Sequence, residues 1–182
     1  IADLESADIG ALTPAAVVGL LSEQIAALSS SAFSALSTDD LDALTSAALA
    51  GMNAAQVGTL DSAELQALGT DIANLNTAAL YALTSAQLAA LTTDQIAGLD
   101  SVDVAALTPA ALVGLSSEQL AALSSSAFEG MSTDDLGALT SEALSSLTSD
   151  QAHTLDSSEI QALGTDIANL NTAAMQTLTS DQ

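Results

Sequence analysis

Apolar residues recur along this chain in pairs three positions apart, and the pairs advance by eight. Ile9 with Leu12, Val17 with Leu20, Ile25 with Leu28, Phe33 with Leu36 and Leu41 with Leu44 show the spacing. The series starts at Ile1 with Leu4 and runs to Leu65 with Leu68, a unit one residue short. It resumes at Ile72 with Leu75 and continues to Ile160 with Leu163, which is short again, before Ile167 with Leu170 and Met175 with Leu178. About 23 units result, and a fixed period of this kind marks a repeat architecture. Within an octad the first position is apolar, the second variable, the third small and the fourth usually Leu. The fifth is Ser, Thr, Asp or Asn, the sixth Ser or Thr, and the eighth Gln, Asp, Glu or Ala.

A continuous helix does not fit this pattern. Eight residues at 3.6 per turn rotate the apolar pair by about 80° per octad, so no stripe forms. A strand fails as well, because positions three apart fall on opposite faces of a pleat, and Ala is a poor strand former. A string of short capped helices does fit. Thr13, Ser29, Ser37, Thr45, Asn53, Asp61, Asn76, Thr84, Thr92, Asp100, Thr108 and Ser116 all occupy the fifth position, where their side chains can accept from free N–H groups of a helix start. Three residues later stand Gln24, Asp40, Gln56, Glu64, Gln87, Gln95, Gln119, Gln151 and Glu159, which is capping-box spacing. Both prolines, Pro14 and Pro109, follow a Thr at the first helical position, where Pro is best tolerated. The pattern predicts helices of about seven residues, Ser85 to Leu91 for example.

Such a helix is marginal alone. Burying one apolar pair contributes less than ordering eight backbone units costs, so octads must stack. The expected fold is an all-α solenoid of short capped helices, one per octapeptide. The small third position (Gly19, Ala27, Ala35, Ala43, Gly98, Ala106, Gly114) predicts close approach of a neighbouring helix. The variable second position (Val18, Ser34, Asp42, Gln66, Tyr81, His153) predicts exposure to solvent.

A longer period overlies the octads. Residues 67–79 and 162–174 read the same, an offset of 95 residues, and roughly 60 of 87 positions match between 1–87 and 96–182. The chain therefore reads as one continuous array, 1–182, of two modules, 1–95 and an incomplete 96–182. The short units carry Leu68-Gly69-Thr70-Asp71 and Leu163-Gly164-Thr165-Asp166. They read as a register correction once per module, with Gly supplying backbone angles that a tighter junction needs.

Composition narrows the function. There is no Lys or Arg against 23 acidic residues, giving a net charge of -23, yet only 13% of residues are charged. The acidity comes from missing cations rather than crowded anions. With 49% apolar residues the chain is expected to fold rather than behave as a disordered acidic tail. Nothing in it can neutralise phosphates, so neither nucleic acid nor an anionic membrane surface is an expected partner. There is no Cys, no uninterrupted apolar run long enough for a membrane span, and no signal-peptide pattern. A first residue of Ile rather than Met suggests a processed piece, or a window of something longer.

Candidate chemistry is sparse. His153, the single histidine, sits at a variable second position whose counterpart in the first module is Gly58, and reads as a solvated surface residue. Phe33 and Phe128 occupy first positions and read as core. In Asp39–Asp40 and Asp134–Asp135 the seventh position is expected to point outward and the eighth to cap. The sharper alternative is weak bridging by calcium or another divalent cation, which so anionic a chain attracts, although neither an EF-hand loop nor the calcium-binding nonapeptide is present. There is no Gly-x-Ser-x-Gly elbow or Gly-rich phosphate loop. No catalytic, cofactor-binding or metal-ligating residue is assigned. No small-molecule substrate is expected, and the chain does not read as an enzyme.

The run Leu83-Thr84-Ser85-Ala86-Gln87-Leu88-Ala89-Ala90-Leu91-Thr92-Thr93-Asp94-Gln95-Ile96 resembles the low-complexity Leu-Thr-x-x-Gln repeats of large secreted bacterial surface or adhesin-like proteins. The resemblance implies an extracellular or cell-surface location and an adhesin-like or fibre-forming role. The expected function is a filament, sheath or stalk built by self-association into a homopolymer. The ends motivate this: Thr179 caps a helix whose apolar half is missing, and Ile1 to Leu4 is an apolar half-octad without a cap. Contacts of that head-to-tail kind propagate rather than close. The alternative is a binding module for glycans or ice, with the irregular sixth-position hydroxyls (Ser22, Thr38, Ser46, Ser62, Thr70, Thr93) as the candidate surface.

Overall fold

The computed structural model describes residues 4–182; Ile1, Ala2 and Asp3, and with them most of the first apolar half-octad, lie outside the described residues. The described residues form twenty short α-helices and two 3₁₀ segments, with no strand among them. Helices last four to seven residues, and only Ser157–Leu163 reaches seven. They are shorter than the spacing predicts because the fourth-position Leu leaves the helix. Leu28, Leu91, Leu107, Leu123, Leu139 and Leu155 adopt extended backbone, with ψ between 133° and 152°. One octad is thus a helix carrying the first apolar residue inward, followed by an extended residue that turns the second apolar side chain into the same core.

The fifth-position side chains cap as their chemistry demands. Ser29, Ser37, Thr45, Asn53, Asp61, Asn76, Thr84, Thr92, Asp100, Thr108 and Ser116 accept from backbone N–H groups two or three residues on. Thr13 takes the N-cap backbone angles without a side-chain bond. Capping boxes close at eight of the nine eighth-position residues named above. At Gln24, where Leu21 takes the N-cap place, only the Gln Oε1 half forms, accepting from Leu21 N–H at 2.9 Å. Pro14 and Pro109 open their helices.

The chain divides into two compact units, residues 1–83 and 84–182. In each, a helix packs against the third element further along. In the first unit Ser6–Ile9 meets Ser30–Phe33, Pro14–Val17 meets Thr38–Asp42, and Ser22–Ala27 meets Ser46–Leu49. In the second, Ser101–Ala106 meets Ser125–Phe128 and Ser117–Ala122 meets Ser141–Leu144. Hydrogen bonds between turns join residues 24 to 31 apart. Each unit is therefore a coil of three to four octads per turn, a helix of helices in which unit n touches n+3 and n+4 as residues do in an α-helix. First-position residues such as Ile25, Leu41, Leu49, Leu120, Phe128 and Leu136 are buried along its axis, as are fourth-position Leu28, Leu36, Leu44, Leu115, Leu123 and Leu139. Val18, Tyr81, His153 and the rest of the second-position set are exposed.

The small third position is explained at Gly51, Gly114 and Gly130. A Cβ on any of them would strike the backbone carbonyl of Ser22, Ser85 or Ser101, each 29 residues earlier. At the shortened units Gly69–Asn74 and Gly164–Asn169 are 3₁₀ segments. A 3₁₀ segment rises about 2.0 Å per residue against about 1.5 Å in an α-helix, so a unit that lost a residue recovers its length. Gly69 and Gly164 enter these segments at φ 53° and 52°, a region that side-chain-bearing residues avoid.

Candidate functional site

The polar chemistry of this molecule is concentrated between turns. The eighth position lies beside the first and points inward, so its side chain meets both its own helix start and the turn before. Gln56, Gln119 and Gln151 are buried there. Each Oε1 accepts from its own N-cap N–H, of Asn53, Ser116 or Thr148, at 2.9 Å. Each Nε2 donates to two carbonyls of the preceding turn. Gln56 reaches Ile25 at 2.7 Å and Leu28 at 2.9 Å. Gln119 reaches Leu88 at 3.0 Å and Leu91 at 2.7 Å. Gln151 reaches Leu120 at 2.7 Å and Leu123 at 2.8 Å. One amide thus satisfies an orphan donor of one helix and two carbonyls at the end of another, which a carboxylate cannot do because it has no hydrogen to give.

Two N-cap residues join the ladder. Asn76 accepts from Ala79 N–H at 3.0 Å while its Nδ2 donates to the carbonyls of Ala50 at 3.0 Å and Met52 at 2.6 Å. Asn171 repeats this on Ala174, Ser145 and Leu147. Every one of these amides points backward along the chain, so each coil has a chemical direction, with donors on one face of a turn and carbonyls on the other.

Of the residues singled out from sequence, Asp39 and Asp134 are exposed while Asp40 and Asp135 are buried at 4%; the neighbours in each acidic pair therefore diverge. Asp40 Oδ2 accepts from Ser37 N–H at 3.0 Å and Ser37 Oγ–H at 2.6 Å, and Asp135 Oδ2 does the same with Ser132. The second oxygen of each carboxylate, Oδ1, is buried without a hydrogen-bond partner. Asp103 occupies the same slot; burial pushes its carboxyl above the usual range, against the lowering effect of the Asp100 N–H, and the nearby Asp100 carboxylate adds to the rise. Asp156, exposed at a helix start, is held low by the Ser158 hydroxyl and the N–H groups of Glu159 and Ser158. His153 lies exposed in the last turn of Ser149–Thr154. Among the described residues no three His, Cys, Asp or Glu side chains come together as a metal-binding group, and no helix is long and apolar enough to cross a membrane.

Sequence reasoning found the eighth position as a cap and missed its second partner in the turn before. A signal was present. At all eleven eighth positions that can be compared, from Asp8 with Asp103 to Gln87 with Gln182, the two modules carry the same residue, although elsewhere they have diverged. A cap alone tolerates Gln, Glu or Asp; a position that also meets a neighbouring turn does not.

No curated protein matches the chain. The family description ALTTAQ spells positions three to eight of this octad, most closely at Ala82–Gln87 and Ala90–Gln95. The ALTTAQ repeat model matches residues 1–38, 33–70, 70–101, 96–133 and 128–165, and the chain belongs to the ALTTAQ repeat family.

Proposed function

We propose that this chain is a structural segment of an extracellular or cell-surface filament, sheath or stalk, and that it performs no catalysis. The observation that carries the reading is the directional amide ladder. A coil whose donors all face one way leaves unlike, complementary faces at its two ends. Gln24 accepts from its own N-cap Leu21 N–H and sits half-buried, while its counterpart Gln119 is buried against the previous turn. In the last turn Ile160 and Ile167 are half-buried and Met175 is 44% exposed. Further octads of the same kind, from a longer chain or a second copy, would cover these side chains as the turns within each unit cover theirs. A surface free of Lys and Arg suits an assembly that must not adhere to anionic membranes, and Cys-free octads fold without regard to redox conditions.

Electron microscopy of the purified chain at high concentration, with and without calcium, tests the assembly. Regular fibres whose axial repeat matches stacked coil turns are the expected result. Particles that remain single chains at millimolar concentration would remove self-association and leave a spacer within one polypeptide.

A further inference from the structure

The buried acids Asp40 and Asp135 stand in the slot that Gln56, Gln119 and Gln151 fill elsewhere, and they complete only half of its chemistry. Like the glutamine Oε1, their Oδ2 takes the N-cap N–H. Unlike glutamine, they bring no donor toward the preceding turn, and Oδ1 is buried without a partner. Gln amides bond to carbonyls 31 and 28 residues earlier. By that register the main-chain oxygens facing Asp40 are those of Ile9 and Leu12, and those facing Asp135 belong to Val104 and Leu107. The carbonyls of Ile9 and Val104 already accept the N–H groups of Leu12 and Leu107, so each slot is left with the inward Oδ1 and the carbonyl of Leu12 or Leu107 and no side-chain donor toward either. Burying an unpaired carboxylate is costly, and the chain has no Lys or Arg to pair with it, while its one histidine, His153, lies exposed elsewhere.

We propose that Asp40 and Asp135 each hold one small monovalent cation, sodium in ordinary media, between the inward carboxylate oxygen and the carbonyls of the preceding turn. A single positive charge balances a single carboxylate. A divalent ion would leave net charge buried. The exposed Asp39 and Asp134 do not share the site. The cation does for these turns what the glutamine –NH₂ does for the others.

The test compares thermal unfolding of the full chain in sodium chloride and in choline chloride at equal ionic strength, alongside the D40Q/D135Q variant. Sodium is expected to raise the midpoint of the natural chain saturably, by about 2–4 °C, and to broaden its ²³Na resonance. In the variant the glutamines supply their own donors, so both effects disappear. If that variant fails to fold, D40N/D135N, which removes the charge at nearly constant volume, must likewise lose the sodium increment. Equal midpoints of the natural chain in the two salts overturn the proposal. So does a sodium increment of the same size in the variants, which would reflect screening of the acidic surface, or a response to calcium with none to sodium.

Discussion

Residues 67–79 and 162–174 are identical in sequence and nearly identical in what they do locally. Both pass through a positive-φ Gly into a 3₁₀ segment, and in both an Asn cap reaches two carbonyls of the turn before. They differ on the other side. Ile72 is fully buried, as are its neighbours Leu65 and Leu80; their counterparts Ile167 and Ile160 are half-buried and Met175 is largely exposed. Ile72 and Ile167, set in identical sequence, cannot owe that difference to themselves. The Asn caps and their bonds to the preceding turn are present in both copies, and what varies is how deeply the inward side chain is covered. The isolated octad is only a partial fold, finished by octads it does not contain.

The largest effect that should separate the two copies is truncation of the inward side chain. Ile72→Ala should cost about 2–5 kcal/mol, and Ile167→Ala less than half of that, measured by urea unfolding. Equal costs would break the comparison; lengthening the chain by four octads should raise the second cost toward the first. Next comes the amide ladder. Gln119→Ala removes the donor to both the Leu88 and Leu91 carbonyls; Leu88 keeps the Leu91 N–H, so one group is stranded, at about 1–3 kcal/mol. Gln24→Ala, at the same position one module earlier, should lose only its cap, about 1 kcal/mol. Gly69→Ala and Gly164→Ala should be alike, at about 1–3 kcal/mol each. The strain is in φ alone, since a Cβ at either site meets nothing within 4 Å; unequal costs would show that the junction senses its surroundings.

The smallest expected effect is in pH. The carboxyl of Asp103 is raised in the fold, so the folded state binds its proton more tightly than the unfolded chain. Its contribution is complete below the ordinary aspartate value of 3.8 and is lost as pH rises through the higher folded value. Asp156 is lowered and acts oppositely, contributing above 3.8 and losing that contribution as pH falls through the folded value. Asp103→Asn should remove the first trend from unfolding midpoints between about pH 3 and 6 while leaving the second. An unchanged profile would mean that Asp103 is not differentially protonated.

Much of this was legible in the chain because the signals were local. A fifth-position Thr or Ser, a Gln three residues on and a Pro at the first helical position each report on one helix start, and all agreed on phase. The small third position was legible too: at Gly51, Gly114 and Gly130 a neighbouring backbone leaves no room for a Cβ. Helix length was overestimated because the Leu at position four looks equally helical in sequence. Only the need to place it in the same core as position one sends Leu91 or Leu123 into extended backbone. The second partner of Gln56, Gln119 and Gln151 was not legible from spacing within the octad. It depends on the number of octads per turn, and that number emerges from packing between turns.

The acceptors in the ladder are main-chain carbonyls, which every octad has whatever its side chains. A recombination event that adds or deletes a full turn of octads would therefore leave each glutamine and asparagine facing carbonyls again, with no matching mutation needed elsewhere. Array length in such a protein is free to drift between generations, and chains of different reach can be drawn from the same gene without redesigning any contact.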